Sequence, residues 1–278
     1  MKRPPFKLIV CLFAGFLLSG SGLRAGYEEA KVDWQKNIVS TVGISSFKID
    51  YDGTPINPYD GTPISISEAR RSSYESAKNI ALEKMTALLK NIRVTQDETI
   101  GTLLATDSFT RQRLYSAYEK IKFETFPAGF DSSACRVKMT MGEIMAALPF
   151  TFPANDFPER MDTPIETKYT GVIIDGRGFE IKPMMFPVIY NKNGLEIVSK
   201  DNINAKQAVK YGMVTYAKNE FDAKRNKRVG AQPLYIVAIN DNRGCPVLSE
   251  KDVRRMFSSP QTAKAMKECR IVFIIDKE

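Results

Sequence analysis

The chain has 278 residues and no histidine, and its 40 Lys and Arg against 32 Asp and Glu give a formal net charge of +8. Without histidine there is no Ser–His or Cys–His pair to activate a nucleophile, and no imidazole ligand for zinc. The composition argues against the commonest hydrolases and zinc enzymes. We expect a protein that is not an enzyme and that has no catalytic residues, metal or other cofactor. An enzyme stays the third possibility, because the lack of histidine removes the most frequent catalytic parts and not all of them.

The first 25 residues have the three parts of a secretory signal peptide. Positive charges precede an uncharged apolar run from Leu8 to Leu18, and small, turn-prone residues follow as far as Ala25. This run of 11 residues is too short to cross a bilayer as a helix. We expect cleavage after Ala25, export to the periplasm and no transmembrane segment in the mature chain. An uncleaved membrane anchor is the alternative.

The expected mature chain is only mildly basic. Residues 1–25 contain four Lys and Arg and no acidic residue, so their removal lowers the net charge from +8 to +4. Nucleic-acid binding needs clustered positive charge, and the protein must be in the same compartment as nucleic acid. Export from the cytoplasm removes the protein from that compartment. We therefore expect no nucleic-acid partner.

Residues 26–148 have the pattern of a small α+β domain. A strand-like run, 38–49, is followed by the hexapeptide YDGTPI at 51–56 and again at 59–64, where Gly and Pro predict a loop or hairpin. Ser67 is expected to begin a long helix, and a shorter helix is expected over 108–119 with Leu114, Tyr115 and Tyr118 inward. Period-two segments at 121–125 and 135–141 predict an antiparallel pair. The apolar face expected on the long helix comprises Tyr74, Ala77, Ala81, Met85, Leu88 and Ile92.

A Pro-rich linker over 149–166 is expected to separate this domain from a second one, 167–278. The linker contains four prolines and three phenylalanines, Phe150, Phe152 and Phe157. We expect these rings to pack the two domains together, and docking into a partner is the alternative. In the second domain, apolar runs predict strands at 169–175, 186–190, 195–199, 233–239 and 270–275. The stretch 204–218 is predicted to be helical or mixed. Helices are also expected to begin at Ser249, as an N-cap, and at Pro260. The predicted fold class is α+β, with two small domains, each an antiparallel or mixed sheet packed by helices.

Two basic features are candidate contacts for an anion or a partner. Arg177 lies in Asp-Gly-Arg-Gly directly after a predicted strand, where a tight turn is favoured over a phosphate loop because 179–181 continue in a strand-like pattern. The second feature is a basic cluster, which we interpret as a solvated loop. The alternative is that it contacts anionic lipid headgroups, lipopolysaccharide phosphate or an acidic protein. The cluster comprises Lys224, Arg225, Lys227 and Arg228.

Three cysteines remain after the expected cleavage: Cys135, Cys245 and Cys269. An oxidising compartment permits a Cys245–Cys269 disulfide within the second domain. The favoured alternative is that the cysteines are small buried hydrophobic side chains, because Cys135 and Cys269 lie in apolar-alternating runs.

The segment SEARRSSYESAKNIALEKMTALLKNIRV (67–94) is similar to the Ala-rich helix of a known family. This is the bacterial twenty-kilodalton outer-membrane lipoprotein family, whose module also forms part of flagellar assembly protein T. Three further segments resemble the C-terminal portion of its longer members: YTGVIIDGRGFEIKPMMFPVIYNKNG (169–194), YGMVTYAKN (211–219) and KECRIVFIID (267–276). Because Cys11 lies inside the apolar run rather than at its end, the chain would be a non-lipidated longer member.

The resemblance implies a structural or assembly protein of the periplasm or outer membrane that binds other envelope proteins. Components of the flagellar basal body or of outer-membrane complexes are the implied partners. A periplasmic small-ligand-binding or sensing module that uses the second domain stays open as the alternative.

Overall fold

The computed structural model describes residues 30–158 and 167–276 and has the α+β class. The predicted signal peptide and the second half of the predicted linker lie outside these residues. Each half combines sheets with packed helices, as predicted. No helix in the described part of the chain is long and apolar enough to cross a membrane.

The N-terminal half is built on an antiparallel sheet with strand order β1-β2-β6-β5. Its strands are β1 (Ala30–Asp33), β2 (Ile38–Ser46), β5 (Phe123–Pro127) and β6 (Ser132–Thr140). The predicted pairing of the two period-two segments is confirmed as β5 and β6. Two short strands, β3 (Lys48–Ile49) and β4 (Pro55–Ile56), pair around the first YDGTPI copy, which confirms a hairpin there.

The long helix, α1 (Ile66–Lys90), covers one face of this sheet. It begins earlier than predicted, because the N-cap is Ser65, whose hydroxyl accepts a hydrogen bond from the Glu68 N–H (3.2 Å). Of the predicted face, Ala77, Ala81 and Met85 are buried, and so is Ile92 just beyond the helix. The prediction was wrong for Tyr74 and Leu88, which are only half-buried. The residues that α1 buries are Ala69, Ser73, Ala77, Ala81, Met85 and Leu89.

Small side chains allow α1 to lie very close to β2. A Cβ atom at Gly43 of β2 would lie 2.0 Å from the Ala77 carbonyl oxygen. The Thr41 hydroxyl donates a hydrogen bond to the Ala81 carbonyl (2.8 Å), which fixes the helix along the strand. The buried face therefore follows steps of four, with Ser73 in place of the predicted Tyr74 and Leu89 in place of Leu88.

Three shorter helices complete this half: α2 (Ile100–Thr106), α3 (Ser108–Tyr118) and α4 (Met141–Ala147). The helix expected over 108–119 is confirmed as α3, with Leu114 buried. The prediction was wrong for Tyr115, which is 56% exposed. The sequence analysis did not predict α2 or α4.

The C-terminal half contains two sheets. The first is parallel throughout, in the order β10-β14-β7-β11, with strands β7 (Gly171–Asp175), β10 (Thr215–Ala217), β11 (Pro233–Val237) and β14 (Ile271–Ile274). The second is mixed, in the order β12-β13-β8-β9, with strands β8 (Ile189–Asn191), β9 (Glu196–Val198), β12 (Asn240–Asn242) and β13 (Cys245–Leu248).

Four α-helices pack around these sheets: α5 (Ala205–Tyr211), α6 (Glu220–Arg225), α7 (Glu250–Phe257) and α8 (Pro260–Lys267). A 3₁₀ turn covers Lys200–Asn202. Both predicted helix starts are confirmed, because the Ser249 side chain accepts from the Asp252 N–H and Pro260 is in the first turn of α8.

The two halves share one hydrophobic core. Backbone N–H groups of Met185 and Phe186 donate to the carbonyls of Arg93 (3.0 Å) and Val94 (2.8 Å). The linker aromatic rings pack on the C-terminal half, as expected: Phe150 lies edge-on to Phe186 with centroids 4.9 Å apart. The domain boundaries around 149–166 stay a prediction.

Candidate functional site

A polar cleft of about 760 Å³, named here the interface cleft, lies where the two halves meet. The N-terminal half supplies the turn between β1 and β2 and the start of α4. The C-terminal half supplies the end of α5, the loop after α6 and the connection between α8 and β14. The lining residues are 35–38, 140, 142, 207, 210–212, 215, 226–228 and 268–270.

The interface cleft is strongly cationic. Its lining has one acidic residue, Glu268, and five basic ones: Lys36, Lys210, Lys227, Arg228 and Arg270. Two of the cations are neutralised, since Lys36 pairs with Asp33 (3.7 Å) and Arg270 with Glu268 (2.9 Å). Within the described ranges, no carboxylate lies in ion-pair distance of the other three.

Arg228 is the most constrained of these cations. Its guanidinium donates to the carbonyls of Tyr211, Gly212 (3.1 Å) and Cys269 (3.2 Å). These oxygens lie at the C-terminal ends of α5 and α8, where the helix dipole favours a cation. Burial lowers the pKa of Arg228 to about 10, still well above neutral pH. The side chain is therefore a fixed positive charge in the wall of the cleft.

Asn37 and Gly142 hold the two walls of the cleft together. Asn37 has a left-handed φ of 55°, and its side-chain amide donates across the boundary to the Tyr211 carbonyl (2.6 Å). Gly142, in the first turn of α4, lets that helix approach α5 so closely that a Cβ would lie 2.0 Å from the Val209 carbonyl oxygen. The geometry of the cleft thus depends on packing between the halves.

A second depression, named here the helix–strand groove, adjoins the interface cleft. It has a volume of about 960 Å³ and shares Ile38 and Thr140 with the cleft. It lies among α3, α4 and the two strands β5 and β6. Its apolar lining is Ile38, Ala117, Ile121, Phe123, Met139, Ala146 and Ala147, and its basic lining is Arg113, Lys120, Lys122, Arg136 and Lys138.

Two carboxylates of the helix–strand groove are already engaged. Glu124 pairs with Arg136 (3.1 Å) and Lys138 (3.8 Å). Glu143 accepts from the Thr140 backbone N–H (2.7 Å) in the capping box of α4. No carboxylate of the described chain forms an ion pair with the remaining three basic side chains. The groove therefore combines an apolar floor with an uncompensated positive rim.

The predicted basic contacts do not form one site. Only Lys227 and Arg228 line the interface cleft. Lys224 pairs with Glu220 (2.5 Å) on α6, and the Arg225 guanidinium lies over the Phe221 ring (4.9 Å).

Arg177 is engaged within its own loop. Its Nε donates to Asp175 Oδ1 (2.9 Å), and the Tyr235 hydroxyl donates to Asp175 Oδ2 (2.5 Å). The bonds from Arg177 lower the pKa of Asp175, and burial opposes this effect only partly. The predicted tight turn is confirmed at 177–180, although 179–181 are not a strand.

All three described cysteines are buried free thiols, so the structure contains no Cys245–Cys269 disulfide. Cys245 packs in a small cluster with Met184 and Tyr190 beside the mixed sheet. Cys269 lies before β14 of the parallel sheet, and burial raises its pKa to about 12. The alternative, that the cysteines are small buried hydrophobic side chains, is confirmed.

Sequence analysis missed Lys36 and Lys210 of the interface cleft and the whole rim of the helix–strand groove. Of the rim residues, only Lys120 and Lys122, on either side of Ile121, are close enough in sequence to have suggested a basic patch. The other cations are scattered through the chain and meet only in the folded protein.

Residues 171–277 match the family described as Treponema pallidum Tp0624, second domain. The matched region includes the C-terminal wall of the interface cleft and none of the helix–strand groove. Comparison with curated proteins finds no match to the chain.

Proposed function

We propose that the protein is a non-enzymatic structural or assembly component of the bacterial envelope, exported to the periplasm and acting through contacts with other envelope proteins. The observation that carries this proposal is the helix–strand groove, with its apolar floor and uncompensated basic rim. Protein interfaces combine such an apolar centre with a polar rim, and charge complementarity selects the partner.

The chemistry of the groove favours an acidic segment of a partner protein. Arg113, Lys120 and Lys122 line the groove, and no carboxylate of the described residues lies in ion-pair distance of them. The apolar floor includes the buried Met139 and the half-buried Phe123, so the segment should also carry apolar side chains.

The strands leave room for such a segment. Pairing between β5 and β6 runs from Pro127 opposite Ser133 to Phe123 opposite Val137. Beyond Val137, β6 continues to Thr140 and pairs with β2 on its other side. The groove opens at the point where the chain before β5 diverges from β6.

The resemblance of 67–94 to outer-membrane lipoproteins and to flagellar assembly protein T supports an envelope location. Under this proposal the partners are outer-membrane or flagellar basal-body components, and nucleic acid is not a partner. Catalysis has no part in the role.

Site-specific photo-crosslinking in cells tests the proposal. A photoreactive residue at Ser116 would lie in the groove, and one at Ser76 would lie on the exposed side of α1 as the matched control. We expect Ser116 alone to capture an envelope protein through an acidic peptide, identified by mass spectrometry. The pair Lys120→Glu and Lys122→Glu should abolish that product. Equal capture from Ser76, or a product unaffected by the charge reversal, would refute docking in the groove.

A further inference from the structure

The interface cleft holds positive charge that the described residues do not neutralise. Lys210 and Lys227 are exposed, and the Lys210 ammonium lies 4.9 Å from the Tyr211 ring centroid, a contact that does not cancel its charge. The Arg228 guanidinium is held by three backbone carbonyl oxygens. Three cations thus line one side of the cleft without an anionic partner in the described chain.

The surroundings of Arg228, which is partly buried, compensate only part of its charge. A cation withdrawn from water is stabilised fully only when hydrogen bonds and an opposite charge both compensate for its lost hydration. The three carbonyls supply hydrogen bonds but no net negative charge. The lowered pKa of Arg228 reflects the same burial. An anion in the cleft would supply the missing compensation.

We propose that the interface cleft binds a phosphate-class ligand with at least two negative charges, held by Lys210, Lys227 and Arg228. A doubly charged phosphoryl group suits several cations, because its oxygens accept from ammonium and guanidinium donors arranged around it. The volume of about 760 Å³ is in the range of ordinary ligand sites. The cleft would thereby make the protein a small-ligand binder in addition to its proposed docking role, on a separate set of cations.

The ligand would also stabilise the junction between the halves. The N-terminal half also lines the cleft, and its part includes the turn with Lys36 and Asn37. A ligand that touches both walls binds only when the halves are packed, so it should raise the melting temperature of the protein.

The first test uses the mature chain and inorganic pyrophosphate at constant ionic strength, with binding followed by calorimetry and thermal unfolding. Two double variants are compared: Lys210→Gln with Lys227→Gln in the cleft, and Lys224→Gln with Arg225→Gln as the matched control on α6. All four side chains are exposed, so both variants should fold, which circular dichroism checks. We expect the cleft variant to lose about tenfold or more in affinity, and the control less than about twofold, since a charge-assisted contact is lost only in the former.

A second arm distinguishes a free phosphate compound from a lipid headgroup. Vesicles of phosphatidylglycerol with phosphatidylcholine are tested for cosedimentation, with and without pyrophosphate. If pyrophosphate displaces the protein from vesicles and the cleft variant does not bind them, the ligand is a lipid headgroup. If the protein binds pyrophosphate but not vesicles, the ligand is a free phosphate compound. Equal losses in both double variants, or no binding of either probe, would overturn the proposal.

Discussion

Gly142→Ala tests the contact that shapes the interface cleft. The added Cβ would lie 2.0 Å from the Val209 carbonyl oxygen on α5. That oxygen belongs to the backbone, so it cannot rotate away as a flexible side chain could. Helices α4 and α5 must therefore move apart, by about 1 Å if the new carbon is to reach even a tight contact distance.

The expected loss of stability combines two opposing effects. Overpacking of this kind costs about 1–3 kcal/mol, and a backbone neighbour places this site at the upper end of that range. Alanine is better than glycine inside a helix by roughly 0.5–1 kcal/mol. The net loss should be about 2 kcal/mol, which corresponds to a fall in melting temperature of about 4–8 °C for a chain of this size.

Denaturant unfolding followed by circular dichroism measures this loss. Ala87→Gly, on the exposed side of α1, gives the helix-propensity effect alone and serves as the control. Fluorescence of Trp34, the only tryptophan, reports on the junction because its ring lies edge-on to Tyr216 with centroids 5.6 Å apart. A Gly142→Ala protein as stable as the native one, with unchanged Trp34 emission, would refute the close contact between α4 and α5.

Three further predictions concern the rest of the fold. Gly43→Ala should destabilise the protein by about 3 kcal/mol in denaturant unfolding, because its Cβ would meet the backbone of α1 at 2.0 Å. Asp175→Asn should cost up to about 1 kcal/mol at pH 7 through loss of the charged bond from Arg177, whose side chain is exposed to solvent. Folding lowers the pKa of Asp175, so its carboxylate stabilises the protein fully above the pKa of the unfolded chain, and this stabilisation is lost as pH falls through the pKa of the folded protein. Asp175→Asn should therefore lose less stability than the native protein between pH 5 and about pH 2, measured by urea unfolding at each pH. Burial raises the pKa of each described cysteine, so a thiol reagent at pH 8 should modify them only after unfolding, and rapid reaction of the native protein would contradict their burial.

The elements with a strong period were predictable from sequence. The alternation in β5 and β6 indicated their pairing, and the capping side chain at Ser249 indicated the start of α7. The buried face of α1 was predicted correctly at Ala77, Ala81 and Met85 and wrongly at Tyr74 and Leu88. A periodicity pattern favours large apolar residues such as Tyr74, whereas the small Ser73, one position earlier, is buried because α1 lies very close to β2.

The parallel sheet could not be derived in the same way. A short apolar run such as 171–175 indicates burial but does not say which strand lies beside it. Strand β10 has three residues and lies in a segment, 204–218, where the helix of α5 dominates the pattern. The order β10-β14-β7-β11 depends on crossovers of tens of residues, so long-range packing decides it.

The basic cluster at 224–228 shows why the site was only half visible. Asn226 is the C-cap of α6 and has an extended backbone, so the chain changes direction in the middle of the cluster. Lys224 and Arg225 stay on the helix with their own partners, whereas Lys227 and Arg228 line the interface cleft. Neighbours in sequence are thus separated in space.

If packing between the halves creates the interface cleft, a variant that changes no charge should still weaken anion binding there. Gly142→Ala should lower the affinity for pyrophosphate because it displaces the N-terminal wall, yet the dependence of affinity on salt should stay as in the native protein, since every cation remains. Lys227→Gln should lower both the affinity and its salt dependence, because one interacting charge is lost. Calorimetry at two or more salt concentrations separates the two effects. Unchanged affinity in Gly142→Ala would mean that the C-terminal wall binds the anion alone, and the ligand would then have no role in holding the halves together.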